Sequence, residues 1–282
     1  MNNMKAPTLP DTSSARKQAI ARHFATADDY DQHAKIQQQV CHHLLDNIAH
    51  TEQKSVLEIG AGTGQMTRLL AANIQSQHWI INELCSERKA ILQSILPTAK
   101  ILIGDAESLQ LSTDFNSINP HLIEHSLIVS ANAVQWFDKP LKFITQSAQY
   151  LQAGGQLVFN TFTPDNFLQI KQLTGQGLHY PAISEWQSAL EDAGFEKIEL
   201  STQRFDVPFA NPYAVLTHMK LTGVSTNQTQ EQSNNGKPFT WTKARLKQFE
   251  QDYWHYFSES DNNEQYHVNL TYDVLIVSAF KA

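Results

Sequence analysis

Three carboxylates, each closing a separate apolar run, mark where this chain could do chemistry. Glu58 follows Ser55-Val-Leu, Glu83 follows Trp79-Ile-Ile-Asn, and Asp105 follows Ile101-Leu-Ile-Gly. Between the first two lies Gly60-Ala61-Gly62-Thr63-Gly64, a cluster that lets backbone turn sharply and approach a ligand with no Cβ in the way. The spacing decides what that ligand is. A dinucleotide fingerprint needs its third glycine one place later, where Gln65 stands, and a P-loop needs Gly-Lys-Ser/Thr, which is missing. Pyrophosphate is therefore disfavoured, and the anionic Glu58 just before the glycines would repel it. A cofactor carrying positive charge suits the same place, and S-adenosylmethionine, with its sulfonium and ammonium groups, fits.

The other two acids extend that outline. Glu83 falls about 20 residues beyond the glycines, where an acid accepts hydrogen bonds from ribose hydroxyls. Asp105 is placed to accept from the adenine amino group, with Leu84, Ala106 and Glu107 adjoining. Ala131 and Asn132, at the end of the next apolar run, complete the expected cofactor set.

Short β-rich runs must position these residues. From residue 55 to about 162 they alternate with helical stretches, which predicts parallel strands joined by helical crossovers. Residues 15–50 show helical spacing and form an N-terminal arm, assigned here to 1–50. The α/β domain occupies 51–208 and 269–282, ending in the buried-type strand Thr271-Tyr-Asp-Val-Leu-Ile-Val-Ser-Ala-Phe280. Between them, 209–268 reads as an inserted helical lid: two helical candidates flank a polar tract near 225–238, and ligands bind at the carboxyl edge of such sheets.

Composition removes several classes. The 21 lysines and arginines against 28 acids leave a net charge of −7, which argues against a nucleic-acid partner. No run approaches the roughly 20 apolar residues that span a bilayer. Two distant cysteines and the lack of a secretory signal predict a cytoplasmic location. His121-Leu-Ile-Glu124-His125 matches a zinc-protease pattern, but Pro120 before it and a strand directly after leave no room for the helix that pattern requires, so no metal is expected.

Several stretches beyond the glycine motif resemble one family, the malonyl-[acyl-carrier protein] O-methyltransferases of biotin synthesis. They are Lys17-Gln-Ala-Ile-Ala-Arg-His-Phe24, Tyr30-Asp-Gln-His-Ala34 with Gln37, and Gly104-Asp-Ala-Glu-Ser-Leu109. Ala133-Val-Gln-Trp136, Thr161-Phe162, Lys220-x-x-Gly223 and Leu270-Thr-Tyr272 belong to the same set. Ser130-Ala131-Asn132 departs from the family's Ser-Asn by moving the amide one residue, and Val224 replaces an alanine.

The resemblance implies a Rossmann-like class I methyltransferase sheet, mostly parallel with an antiparallel last strand. It also implies methyl transfer from S-adenosylmethionine, released as S-adenosylhomocysteine, to the free carboxylate of a malonyl thioester on an acyl-carrier protein, priming pimeloyl synthesis. Tyr30 would shield the methyl, Lys220 would steer the carboxylate, Gln37 would hold the cofactor's carboxylate, and Gln135 and Trp136 would border the substrate. Lys243, Arg245 and Lys247 would offer the acidic carrier a basic patch. Two alternatives stay open: methylation of another small acid or a quinone precursor, and a non-catalytic cofactor-binding interaction protein.

Overall fold

The computed structural model describes residues 17, 20–22, 34–109, 124–222, 240–260 and 265–282. Helix α1, Lys35–Asp46, buries Val40, Cys41 and Leu44, one apolar stripe of the arm's 3.6-residue pattern. Strand β1, Glu52–Ile59, starts three residues earlier than the apolar run suggests, and only its last five residues are buried. Alternation then follows as the sequence predicts: α2 (Gln65–Asn73), β2 (Gln75–Glu83), α3 (Lys89–Ile95), β3 (Lys100–Ile103), β4 (His125–Ser130), α4 (Lys142–Tyr150) and β5 (Leu151–Phe162). A short helix α5, Leu168–Thr174, which the sequence pattern does not announce, precedes α6 (Ile183–Asp192) and β6 (Phe195–Phe209). Helices α7 (Pro212–Leu221) and α8 (Lys243–Phe257) come next, then β7 (Ser258–Ser260) and β8 (Tyr266–Lys281).

The sheet order is β3-β2-β1-β4-β5-β8-β6. Neighbours from β3 to β5 are parallel, whereas β8 runs antiparallel to both β5 and β6. Strand β8 is longer than the ten-residue run foreseen, because its first residues pair with β7 and with the outer half of β6. Pro208 sits in β6, an edge strand, where its missing N–H breaks no interior ladder. One core layer packs Leu44, Leu70, Leu92, Met219 and Phe249 on one side of the sheet, and another packs Phe143, Ile144, Trp186 and Leu190 on the other. Because both faces are covered, the central strands are continuous apolar runs that end in polar residues at the carboxyl edge. The order reverses between β1 and β4, and the crevice there is where an open α/β sheet takes its ligand.

Candidate active site

At that crevice a cavity is bounded by the β1–α2 loop, the ends of β2 and β3, and the loop after β4. Gly60 and Gly62 shape its floor, with φ of 70° and 57°. A Cβ on Gly60 would meet the Ala133 Cβ at 2.4 Å, so this glycine lets two loops touch. A Cβ on Gly62 would meet nothing within 4 Å, so its space faces the cavity. The amides of Gly60 and Ala61 both donate to the Asn82 carbonyl, at 3.0 and 3.1 Å, which ties the loop to β2.

Glu83 and Asp105 both line the cavity, as do Leu84, Ala106, Ala131, Asn132 and Trp136. The Glu83 carboxylate accepts from the Gly62 amide at 2.7 Å and from the Cys85 amide at 2.8 Å, which fixes its orientation. Each oxygen keeps a lone pair free for a ligand hydroxyl. Glu58 lies differently. It is 2 % exposed, is not part of the cavity wall, and accepts from the Thr67 hydroxyl at 2.8 Å, while its other oxygen has no partner among the described residues. Burial, with a smaller contribution from the Glu83 charge, pushes its pKa up to about 7 against the pull of Thr67.

Lys17 is a site residue whose part in the geometry the sequence does not reveal. Its ammonium is 2.5 Å from Asp105, in contact with Glu107 and 3.9 Å from Asp138. Burial alone would lower its pKa, but the hydrogen bonds and charges of Asp105 and Glu107 outweigh that and raise it. Lys17 and Ile20 thereby bring the arm over the Asp105 side of the cavity. Glu107, expected beside the cofactor, instead accepts from the backbone amides of Asp138 and Lys139 and lies outside the cavity wall.

Asn132 shows what the shifted amide does. It adopts φ 53°, and its backbone N–H donates to Asn160 Oδ1 at 2.8 Å while Asn160 Nδ2 donates back to Asn132 Oδ1 at 3.1 Å. Its own Nδ2 donates to the Gln37 carbonyl at 3.2 Å, linking β4 to α1. Asn160 escaped notice in the sequence, although an asparagine inside the buried run Val158-Phe-Asn-Thr-Phe162 is a signal by itself. Gln37 is 5 % exposed, and its Oε1 is unpartnered among the described residues.

The remaining expected residues divide. Tyr30 lies outside the described residues. Lys220 is exposed on α7; that helix buries Pro212, Val215 and Met219, and its half-buried His218 places Nε2 2.7 Å from the buried Tyr272 hydroxyl. Lys243, Arg245 and Lys247 are all exposed at the start of α8. Lys243 and Lys247, four apart, share a face; Arg245 does not, and its guanidinium donates to the Thr240 carbonyl at 2.8 Å. Of the zinc-like pattern, His121 is outside the described residues. His125 begins β4, fully buried, with Nδ1 2.8 Å from the Ser55 hydroxyl and its pKa lowered by burial to about 4.

Comparison with known proteins agrees with this fold. A methyltransferase domain family matches residues 32–200. The malonyl-[acyl-carrier protein] O-methyltransferase of Haemophilus ducreyi is 35% identical over 275 residues, covering 94% of this chain and 97% of that one. Its namesake in Acinetobacter baylyi is 34% identical, covering 93% and 96%. Among solved structures, a Haemonchus contortus phosphoethanolamine N-methyltransferase in complex with phosphomonomethylethanolamine and S-adenosylhomocysteine superposes with a TM-score of 0.55 at 11% identity. That match spans 95% of this chain and 60% of that one. The YcgJ protein of Bacillus subtilis gives 0.53 at 15% identity, over 85% and 96%. These structures share the fold.

Proposed function

The chain belongs to the malonyl-[acyl-carrier protein] O-methyltransferase family, and from that premise we propose that it moves a methyl group from S-adenosylmethionine to the free carboxylate of malonyl-carrier protein, giving the methyl ester that primes pimeloyl synthesis for biotin. The observation that carries this reading is the cavity whose wall includes Glu83 and Asp105, at two successive strand ends, above a glycine floor. It suits a nucleoside bearing positive charge. Gly62 leaves free space in front of it, the two carboxylates offer acceptors to ribose and adenine, and Glu58 behind the loop can give up its proton to a bound cation. The cofactor supplies a methyl group on a cationic sulphur.

The chain's own residues have a modest task. A carboxylate is ionised at pH 7, its pKa being near 4, so no base is needed to make the nucleophile. Alignment of oxygen with methyl and exclusion of water are what remain, and positioning of that kind contributes about 7–11 kcal/mol. Because anion and sulfonium neutralise each other as the methyl moves, a strong cation clamp on the carboxylate would favour the ground state. Neutral donors suit the reacting end. Tyr30 covers the methyl, Gln37 takes the cofactor carboxylate, Gln135 and Trp136 border the acceptor, and Lys220 steers it in from the surface. Helices α7 and α8, within the expected 209–268 insertion, act as the lid, and the Lys243–Lys247 face of α8 meets the carrier.

The test is incubation of the protein and S-adenosylmethionine with malonyl-carrier, malonyl-coenzyme A or free malonate, followed by mass spectrometry. The reading predicts one added methyl group on malonyl-carrier; transfer to none of the three overturns it.

A further inference from the structure

Next to the cofactor cavity lies a second hollow, ≈ 580 Å³ in volume, of whose lining the methyl-transfer reading uses only Gln135, beside the acceptor. The two share one wall, Phe137. The inner surface of the hollow is buried: Thr161 at the carboxyl end of β5, Tyr180 and Pro181. Its sides are apolar, from Pro140, Leu141 and Leu178, and its mouth carries the exposed Lys139, Lys142 and His179. Asp138 and Glu185 also border it, but each is engaged. Asp138 lies 3.9 Å from the Lys17 ammonium, and Glu185 accepts from the Ala182 amide at 2.7 Å.

One lining residue, Gln135, is held rigidly behind the wall. Gln135 donates through Nε2 to the Asn132 carbonyl at 2.7 Å, which fixes the side chain, yet its buried Oε1 accepts from nothing among the described residues. An occupant that suits this lining is largely apolar along its length and ends outside in negative charge.

We propose that this hollow seats the phosphopantetheine arm of the acyl-carrier protein. The arm is a chain of methylenes and amides with a thioester at one end and a phosphate at the other. Its apolar stretches lie against Pro140, Leu141 and Leu178, and the phosphate meets Lys139 and Lys142. The thioester then arrives past Thr161 and Phe137, beside the cofactor cavity. The proposal rests on the malonyl-carrier reading of the active site and adds to it the route by which the acceptor enters.

Two sets of measurements separate the two claims. The first compares malonyl-carrier with malonyl-N-acetylcysteamine, a thioester lacking most of the arm and its phosphate. Lys139→Glu with Lys142→Glu, both exposed positions, raises KM for malonyl-carrier about ten-fold with kcat unchanged and leaves the truncated thioester within two-fold. Leu178→Trp, which fills the hollow without altering charge, discriminates in the same direction; unchanged cofactor affinity verifies its fold. The second titrates free 4′-phosphopantetheine into wild type and the lysine double variant by calorimetry, with binding expected only in the former. Methyl transfer with no phosphopantetheine binding, or variants that affect both thioesters equally, overturns the arm site. Phosphopantetheine binding that the lysine variant abolishes, with no methyl transfer to any malonyl thioester, supports the arm site and overturns the acceptor reading.

Discussion

The Lys17 ammonium stands 2.5 Å from the Asp105 carboxylate, with side-chain exposures of 6% and 14%, so an arm residue is clamped to the end of the third strand. Glu107 joins the same ammonium. Lys17→Met leaves two neighbouring carboxylates with their shared cation removed. Stability should fall by about 2–3 kcal/mol, below the range for fully buried pairs because part of the site meets water. Cofactor affinity should fall with it, since Lys17 and Ile20 form part of the cavity wall. Calorimetric titration with S-adenosylhomocysteine checks this; an unaltered Kd would show that the arm plays no part in binding.

Glu58 predicts a pH dependence whose sign follows from its raised pKa. Its carboxyl ionises near 4.5 when unfolded and at about 7 when folded, so the native state holds a proton that the unfolded chain has lost. Stability therefore declines as pH rises between those values and levels off above them. Glu58→Gln removes the slope: its unfolding free energy should exceed wild type above pH 7, by at most about 3 kcal/mol, and converge with it toward pH 4.

A bound cation should keep Glu58 ionised, so cofactor binding near pH 6 should expel a proton. Calorimetry in buffers of different ionisation enthalpy measures that release directly. Glu58→Gln should show none, and a wild-type protein that expels none would detach Glu58 from the cofactor.

The glycines separate folding from binding. Gly60→Ala pushes a Cβ into Ala133 at 2.4 Å, so both Tm and ligand affinity should drop. Gly62→Ala meets open space and carries only the left-handed penalty, about 1–2 kcal/mol. It should stay folded while losing cofactor affinity by at least ten-fold. Equal affinity in Gly62→Ala would mean that the ligand does not approach the loop there.

Tyr272 and His218 join β8 to α7 through a 2.7 Å contact with the tyrosine fully buried. Tyr272→Phe keeps the ring packed on Phe162 and Phe167 and removes only the hydroxyl, a loss of about 1–3 kcal/mol. A double-mutant cycle with His218→Ala should give a coupling of about 0.5–3 kcal/mol by denaturant unfolding. If α7 acts as a lid, kcat falls in Tyr272→Phe with cofactor Kd unchanged.

Lys243→Glu and Lys247→Glu should each raise KM for the carrier, with the effect fading as salt increases. Arg245→Glu should do less, because that side chain is on another face and engaged with Thr240. Indifference of KM to salt would remove α8 as the docking face.

Much of the fold could be read from local pattern. The apolar runs ending in Glu58 and Glu83 became β1 and β2, because a strand buried on both faces must be a continuous apolar segment, and the run before Asp105 became the partly exposed edge strand β3. The glycine loop was legible because G-x-G-x-G is a local steric device. Strand β7 and helix α5 were not. β7 spans only Ser258–Ser260 and exists through its pairing with β8, and α5 is a short helix whose partners, α8 and β8, lie far along the chain.

The sequence alone determined the strand–helix alternation, the carboxyl-edge acids and the type of ligand they suit, since each depends on residues adjacent in the chain. Tertiary structure decided which acids reach the cavity: Glu83 and Asp105 do, while Glu58 turns behind the loop to Thr67 and Glu107 turns to the amides of Asp138 and Lys139. It also brought Lys17 to Asp105 across 88 residues, and Asn160 to Asn132 across 28. Periodicity encodes which face of an element is buried, but a side chain's partner is set by packing between distant segments, and that information becomes available only when they meet.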